Sequence, residues 1–386
     1  MFEEDQDISA IRDGIKSLCV KFPDKYWREK DRSRSYPEEF VKALSDHGYL
    51  GCLIPEEYGG SGQKLRAAAV ILEEIHLSGG NGAACHAQMY IMGTLLRHGS
   101  EEQKKKYLPG IAEGSLRLQA FGVTEPGSGT DTLSLKTTAR KNGDKFIING
   151  QKVWTSRAEH SDLMLLLART EDREKVKKRT EGLSVFIVDM RTALDNGLTV
   201  RPIRTMLNHA TTEVFFDELE VPQENLIGEQ GNGFRYILDG MNAERILIAS
   251  ECIGDSRWFT AKSTSYANDR VVFDRPIGKN QGIQFPIAQA YAATEAAALM
   301  TEKAAILYED GKRSGAEANM AKLLASEASW KAAEACMQTH GGFGFAEEYD
   351  VERKYRETRL YQIAPISTNL ILSYIAEHVL GLPRSY

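Results

Sequence analysis

The pattern of hydrophobic and polar positions divides the chain into three stretches. Over the first 115 residues, Ser35-Tyr36-Pro37-Glu38 and Ser100-Glu101-Glu102-Gln103 match the capping box that begins a helix, so this part is predicted to be helical. Between the two boxes, the glycine-rich run 55–62 predicts a turn.

From about Leu118 the pattern changes to short apolar runs separated by glycine, asparagine, proline and charged residues, which is typical of β-strands. The predicted strands are Lys145–Ile148, Leu163–Ala168, Leu183–Val188, Leu198–Arg201 and Glu213–Phe216. The run EDREKVKKRTE at 171–181 carries both charge signs and no apolar stripe, so we interpret it as a solvated hairpin tip rather than a binding patch.

Beyond Gly233 the pattern becomes that of long helices. Alanine-rich stretches occupy 287–309 and 316–337, and Ser314-Gly315-Ala316-Glu317 is a capping box at the start of the second stretch. The sequence therefore predicts a multidomain α+β fold with a helical domain at 1–117, a β-domain at 118–230 and a helical domain at 231–386.

Composition narrows the classes of partner. The 386 residues include 48 Lys and Arg against 54 Asp and Glu, so the net charge of −6 argues against nucleic-acid and anionic membrane surfaces as partners. No apolar run approaches the roughly 18 residues of a membrane helix, and the amino terminus lacks a secretory or transit pattern, so we expect a cytoplasmic protein. Five scattered cysteines without a Cys-x-x-Cys pair predict free, buried thiols; they are Cys19, Cys52, Cys85, Cys252 and Cys336.

The segment most suggestive of chemistry is the glycine-rich run at 121–131, FGVTEPGSGTD, which follows an apolar run. Glycines there let backbone N–H groups approach a ligand closely, although the run is equally compatible with a turn capped by Asp131. It is neither a Walker loop nor a Rossmann fingerprint. Further on, Asn149-Gly150 predicts a tight hairpin, followed by a strand that ends in Trp154, Thr155 and Ser156.

Taken together with Arg270-Val271-Val272-Phe273, Gln281 and the run QTHGGFG at 338–344, these motifs resemble the acyl-CoA dehydrogenase family over essentially the whole chain. The resemblance implies an N-terminal helical domain, a β-barrel-like middle domain and a C-terminal four-helix bundle. It also implies a homotetramer with one FAD per subunit.

The resemblance further implies three sets of flavin-binding residues. Trp154 would cover the isoalloxazine ring and Ser156 would reach its N5 atom, while the glycine-rich segment would line the flavin through Phe121, Val123, Thr124, Gly129 and Thr130. Ser367 and Asn369 match two further flavin contacts. A neighbouring subunit would hold the adenine end and pyrophosphate through Arg270, Phe273, Gln281, Gln338 and Gly342.

The family reaction needs a carboxylate that removes the α-proton of an acyl thioester. Relatives place it either near the C-terminus, where this chain has Pro365, or before an arginine on the first long helix of the C-terminal domain, where it has Glu244. The second placement resembles that of isovaleryl-CoA and long-chain acyl-CoA dehydrogenases. Spacing supports Glu244 independently, because apolar residues lie at −7, −3, +3 and +4 and Gly240 lies at −4. The alternative is a surface glutamate paired with a lysine or arginine.

The resemblance also implies which residues bind the substrate. Arg245 would contact the CoA portion of the substrate, with Thr130 also contributing to substrate binding. In relatives the backbone N–H at position 365 binds the thioester carbonyl, and proline has no N–H to donate. We therefore expect either a neighbouring amide such as that of Ile366 to replace it or the carbonyl to be held differently.

The sequence thus predicts an FAD-dependent acyl-CoA dehydrogenase that uses Glu244 as its base and an electron-transfer flavoprotein as its acceptor, without a metal. Two alternatives stay open. One is a flavoenzyme of the same fold that acts on a carrier-protein-bound acyl group or performs an elimination, as Pro365 suggests. The other is a non-enzymatic, nucleic-acid-binding relative, against which the net charge of −6 argues.

Overall fold

Within residues 6–385, the part described by the computed structural model, the amino-terminal stretch forms six α-helices. They are α1 Gln6–Cys19, α2 Asp24–Ser33, α3 Glu38–Asp46, α4 Leu65–Leu77, α5 His86–His98 and α6 Glu101–Glu113. Helix α6 begins at the predicted Ser100 box, in which the Gln103 N–H donates to Ser100 Oγ at 3.2 Å and the Ser100 N–H donates to Gln103 Oε1 at 3.0 Å.

The predicted capping box at Ser35 is wrong. Pro37 is the N-cap of α3 and contributes no side-chain cap, while the Ser35 hydroxyl pairs with that of Ser33 at 2.7 Å. The proline with its restricted φ sets the start of this helix, and so the serine two positions earlier lies outside it.

The middle stretch forms one mixed sheet of eight strands in the order β6-β7-β3-β2-β4-β5-β8, with β1 paired to β4 in parallel. The strands are β1 Leu118–Gly122, β2 Thr138–Asn142, β3 Lys145–Ser156, β4 Leu163–Arg169, β5 Leu183–Asp189, β6 Leu198–Pro202, β7 Thr211–Pro222 and β8 Leu226–Ile227. All five predicted strands lie within these bounds. A short helix α7 (Met190–Ala193) follows β5, and the charged run 171–181 is the largely exposed connection between β4 and β5, as predicted.

Strand β4 shows why residues 163–168 of its sequence are all apolar. Its odd-numbered residues, such as Leu165, pack in a cluster with α5 and α6, whereas even-numbered residues such as Leu166 pack on the inner side of the sheet with Phe146 and Phe186. Because alternate side chains point to opposite faces, a strand that is covered on both faces carries no polar positions.

The hairpin predicted at Asn149-Gly150 is wrong, because β3 runs straight through this pair. The β2–β3 hairpin turns instead at Asn142-Gly143, where Gly143 has a φ of +64°. Gly150 serves a different purpose: a Cβ there would lie 2.5 Å from Thr137 Oγ1 and 2.7 Å from Thr137 Cα. The glycine therefore allows close approach of the chain before β2, and the register with β7 shifts at this point.

The carboxy-terminal stretch contains three long helices, α8 Gly233–Asp269, α9 Gln281–Glu309 and α10 Gly315–His340, followed by α11 Val351–Arg359 and α12 Thr368–Tyr374. A small hairpin of β9 (Val271–Val272) and β10 (Arg275–Pro276) separates α8 from α9. Helix α10 packs on α8, α9, α11 and α12. Ser314 is the N-cap of α10, as predicted, but its side chain makes no capping hydrogen bond.

The terminal stretches share one hydrophobic core. Residues of α1, α3 and α4 pack with Ile246 and Leu247 of α8, Ala297 of α9 and Ala321 of α10. A second core joins α5 and α6 to the outer face of the sheet. Helix α5 therefore lies between the sheet and α8.

Candidate active site

A buried ion pair anchors the glycine-rich loop between β1 and β2. Lys152 of β3, which is fully buried, donates to Glu125 Oε1 at 2.8 Å and to the Val123 carbonyl at 3.0 Å. The Glu125 carboxylate also accepts the backbone N–H groups of Lys136 and Thr137 at 2.6 and 2.9 Å. Burial lowers the pKa of Lys152 to about 8, against the opposing charge of Glu125. These bonds fix the loop next to β3.

The end of β3 presents an aromatic residue and hydroxyl groups beside this loop. The Val153 N–H donates to the Thr124 carbonyl at 2.9 Å, and Trp154, with a φ of +61°, is 60% exposed. Ser156 is half-buried, and the buried Thr155 hydroxyl has no hydrogen-bond partner among the described residues. The hydrogen bond between Val153 and Thr124 thus places Trp154 beside the loop, and Ser156 follows two residues later in the same strand.

The remaining predicted residues of the loop face outward. Gly129 and Thr130 are exposed, and a Cβ on Gly129 would meet no atom of this chain within 4 Å. The packing of the chain itself therefore does not require a glycine at 129. An open loop, an exposed Trp154 and hydroxyl donors fit a planar, phosphate-bearing cofactor such as FAD.

Glu244 lies in α8 with only 5% of its surface exposed. The apolar residues predicted around it, including Ile237 and Leu247, are buried in the same helix. Its Oε2 has no hydrogen-bond partner and none of the ion pairs of the described residues involves it, so a surface pairing is not observed. Burial raises the pKa of Glu244 to about 7, against the charges of Arg245 and Lys322. A carboxyl group with this pKa can accept a proton near neutral pH.

Tyr90 of α5 lies between Glu244 and the loop. Its hydroxyl faces the Glu244 carboxyl group, whose pKa it lowers, and its ring lies edge-on to Phe121 with 6.2 Å between centroids. Backbone and hydroxyl atoms of Tyr90 and Thr94 also lie within 4 Å of a Cβ built on Gly240, so α5 closely approaches the predicted gap there. Phe121 and Glu244 are therefore brought to the same site by α5.

The turn at 363–368 is joined to α10 by a buried lysine. Pro365 is exposed, and the Ile366 carbonyl accepts a 2.8 Å hydrogen bond from Lys322 of α10, which is fully buried. Ser367 is the N-cap of α12 and accepts the Leu370 N–H at 3.4 Å, which leaves its own hydroxyl proton available. Asn369 is exposed.

Arg245 follows the base and is half-buried. Its guanidinium donates to Asn242 Oδ1 at 2.9 Å, while its Nε has no hydrogen-bond partner among the described residues. Burial lowers the pKa of Arg245, against the charge of Glu244. A held guanidinium with spare donors is suited to bind an anionic group.

The five residues predicted to serve a neighbouring subunit are exposed at the end of the bundle formed by the α8–α9 connection and the end of α10. Phe273, at a φ of +51°, is 93% exposed, and the Arg270 guanidinium lies 5.9 Å from the centroid of the Phe343 ring. Gln281, Gln338 and Gly342 are also exposed. They form a set separate from the loop around Thr124.

Sequence reasoning missed Tyr90, Lys322 and the pair Glu125 and Lys152. Charged residues in mostly apolar surroundings are a signal for Lys152, which follows Asn149-Gly150-Gln151, and for Lys322, which lies within an alanine-rich helix. Tyr90 carried no such signal, because an aromatic residue in an apolar helix is ordinarily a core residue.

The five cysteines are buried, free thiols, as predicted. In the part of the chain described here, no helix is long and apolar enough to cross a membrane. The same residues contain no cluster of three or more His, Cys, Asp or Glu side chains suited to hold a metal ion.

Comparison with known proteins gives matches over nearly the whole chain. Family models for the N-terminal, middle and C-terminal domains of acyl-CoA dehydrogenase match residues 5–115, 120–219 and 231–380. Acyl-CoA dehydrogenase FadE12 of Mycobacterium tuberculosis is 35% identical over 390 residues, which cover 100% of this chain and 99% of that protein.

Solved structures agree with these matches. A glutaryl-coenzyme A dehydrogenase in complex with glutaryl-CoA is 31% identical, with a TM-score of 0.92 over 100% of this chain and 98% of that one. A structure described as the electron transferring flavoprotein of Acidaminococcus fermentans is 29% identical, with a TM-score of 0.91 over 98% of this chain and 99% of that one.

Proposed function

This chain belongs to the acyl-CoA dehydrogenase family of FAD-dependent oxidoreductases, and we propose that Glu244 is the base that removes the α-proton of its acyl-CoA substrate. The observation that carries this proposal is a buried carboxyl group with a free oxygen, which Tyr90 joins to the loop around Phe121. The bound FAD supplies the acceptor for the β-hydride at its N5 atom.

The residues of the chain divide the remaining work. Glu244 takes the α-proton in its ionised form, which the facing Tyr90 hydroxyl favours. Trp154, Ser156 and the loop from Phe121 to Thr130 would hold the flavin, together with Ser367 and Asn369. Arg245 would bind the CoA portion of the substrate, and Thr130 would contribute to substrate binding. Burial of the base excludes water from the reacting atoms.

Reduction of the bound flavin by substrate tests the role of Glu244. We expect an acyl-CoA added without oxygen to bleach the flavin absorbance of the wild type. Glu244→Gln should retain FAD and slow this bleaching by at least about a hundredfold, because a positioned base contributes about that much. Asp239→Asn, an exposed acidic position of the same helix, is the matched control and should bleach normally. Normal bleaching of Glu244→Gln would show that another group is the base.

Pro365 favours a second candidate, a same-fold enzyme that acts on a carrier-protein-bound acyl group or performs an elimination on an acyl-CoA. The turn is exposed at this residue and cannot offer the thioester carbonyl an N–H there. The same acyl group can be supplied either as a CoA thioester or as a carrier-protein thioester. The form that bleaches the flavin faster identifies the acyl carrier that the enzyme uses. Product analysis separates the reactions, because only dehydrogenation yields a 2-enoyl thioester with reduced flavin.

The acceptor and the assembly complete the proposal. An electron-transfer flavoprotein is the proposed acceptor, which the likeness to the structure from Acidaminococcus fermentans supports. A second copy of the chain, within a proposed tetramer, supplies Arg270, Phe273, Gln281, Gln338 and Gly342 to the adenine end of FAD. Their exposure at one end of the bundle supports this placement.

A further inference from the structure

Lys322 is a buried cation without an ion-pair partner. Its side chain is fully buried in α10, and among the ion pairs of the described residues none within 4 Å involves it. Burying an ammonium group in this way is costly unless other interactions offset the cost. The single hydrogen bond found for it is to the Ile366 carbonyl, at 2.8 Å.

The surroundings of Lys322 connect it to the base. Helix α10 packs on α8, and the charges of Lys322, Glu244 and Arg245 interact with one another. The buried thiol of Cys252, also in α8, faces it as well. Lys322 therefore holds the turn that contains Pro365 from a helix that packs on the helix of Glu244, and its charge acts on Glu244.

We propose that Lys322 is a positioning residue, whose ammonium group holds the turn at 364–368 through the Ile366 carbonyl and favours the ionised form of Glu244. The tether fixes the backbone of the residue that follows Pro365, where the turn has one N–H fewer. The positive charge opposes the desolvation that raises the pKa of Glu244. This inference rests on the proposed role of Glu244.

The two effects of Lys322 have separate pH requirements. Burial lowers the pKa of Lys322 to about 8, against the opposing interactions with Cys252 and Glu244. Below that pH the side chain both donates to Ile366 and carries its charge, whereas above it the neutral amine can still donate. The groups that face Glu244 are Tyr90 from α5, Arg245 from α8 and Lys322 from α10, so Lys322 is the cation that the bundle places there from another helix.

Three substitutions of Lys322 distinguish the effect of its positive charge from that of its hydrogen bond to the Ile366 carbonyl. Lys322→Met removes both, Lys322→Gln keeps a donor without the charge, and Lys322→Arg keeps the charge with a donor. Lys331→Met, at an exposed position of the same helix, is the matched control. The pKa of Glu244 is measured in each variant loaded with FAD and without substrate. For this, the free energy of unfolding of each variant is compared, as a function of pH, with that of the same variant carrying Glu244→Gln.

We expect Lys322→Met and Lys322→Gln to raise the pKa of Glu244, and Lys322→Arg and Lys331→Met to leave it unchanged. The acid limb of anaerobic flavin reduction should move by the same amount. Lys322→Met should also raise KM for the acyl thioester more than Lys322→Gln does, because it also loses the tether. An unchanged pKa of Glu244 in Lys322→Met would overturn the inference. The proposed role of Glu244 has its own test, because normal bleaching of the flavin in Glu244→Gln would contradict it whatever the result for Lys322.

Discussion

At the scale of single residues, two glutamates of α8 show how surroundings assign different roles. Glu244 and Glu251 lie seven residues apart, about two turns, and both are buried. Glu251 accepts hydrogen bonds from His86 Nδ1 and the Tyr361 hydroxyl, each at 2.7 Å. Burial raises the pKa of Glu251, but the charges of His86 and His76 and these bonds outweigh burial, so the net shift is downward. Glu244 faces no histidine, and its Oε2 has no hydrogen-bond partner among the described residues, which leaves it able to take a proton near neutral pH.

The contrast predicts opposite effects on stability. Between pH 5 and 7 folded Glu244 keeps a proton that the unfolded chain has released, so its contribution to the stability of the wild type falls as pH rises through about 7. Glu244→Gln should therefore gain about 3 kcal/mol relative to the wild type between pH 5 and pH 8. Denaturant unfolding of the FAD-loaded protein at both pH values measures this gain.

Glu251→Gln is the comparison, because the pKa of Glu251 is lowered and its contribution is already complete above the pKa of the unfolded chain. It should be less stable than the wild type by a similar amount at pH 5 and pH 8. A stability difference between Glu244→Gln and the wild type that does not change with pH would contradict the raised pKa of Glu244.

At the scale of elements, the loop after β1 depends on β3 through the pair of Lys152 and Glu125. Lys152→Met leaves a buried carboxylate without its cation, so we expect a loss of about 3 kcal/mol in stability and weaker retention of FAD through gel filtration. Lys145→Met, at the more exposed start of the same strand, is the control and should change neither. Adding Glu125→Gln to Lys152→Met should recover part of the lost stability, and failure to recover any would exclude the ion pair as the cause.

The elements also show how far local pattern predicts the fold. Apolar runs located all five predicted strands because β4 and its neighbours bury the residues that define them. Local signals failed where a distant contact decides their meaning. Asn142-Gly143 and Asn149-Gly150 look alike, yet the approach of Thr137 to Gly150, and not a turn, explains the second glycine. Likewise, the sequence indicated Glu244 through its spacing, but Tyr90 and Lys322 come from other helices and only packing reveals them.

At the scale of the whole molecule, the predicted flavin residues form two separate sets. One surrounds Trp154 and the loop at Thr124, whereas the other is exposed at the end of the bundle around Phe273. If one FAD needs both sets from different copies, each site contains the base of one chain and the exposed set of another. A symmetric pair of chains then contains two such shared sites.

Mixing two inactive chains tests this sharing. Glu244→Gln lacks the base, and a chain with Arg270→Glu and Phe273→Asn lacks the exposed set; these positions are exposed, so folding should be unaffected. Assembled together at random, half of the pairs are mixed, and each mixed pair has one site with both parts intact. Co-expressed chains should therefore recover about a quarter of the wild-type flavin bleaching, although each chain alone has almost none. Recovery cannot occur if each site is built within one chain, because every site would then lack either the base or the exposed set.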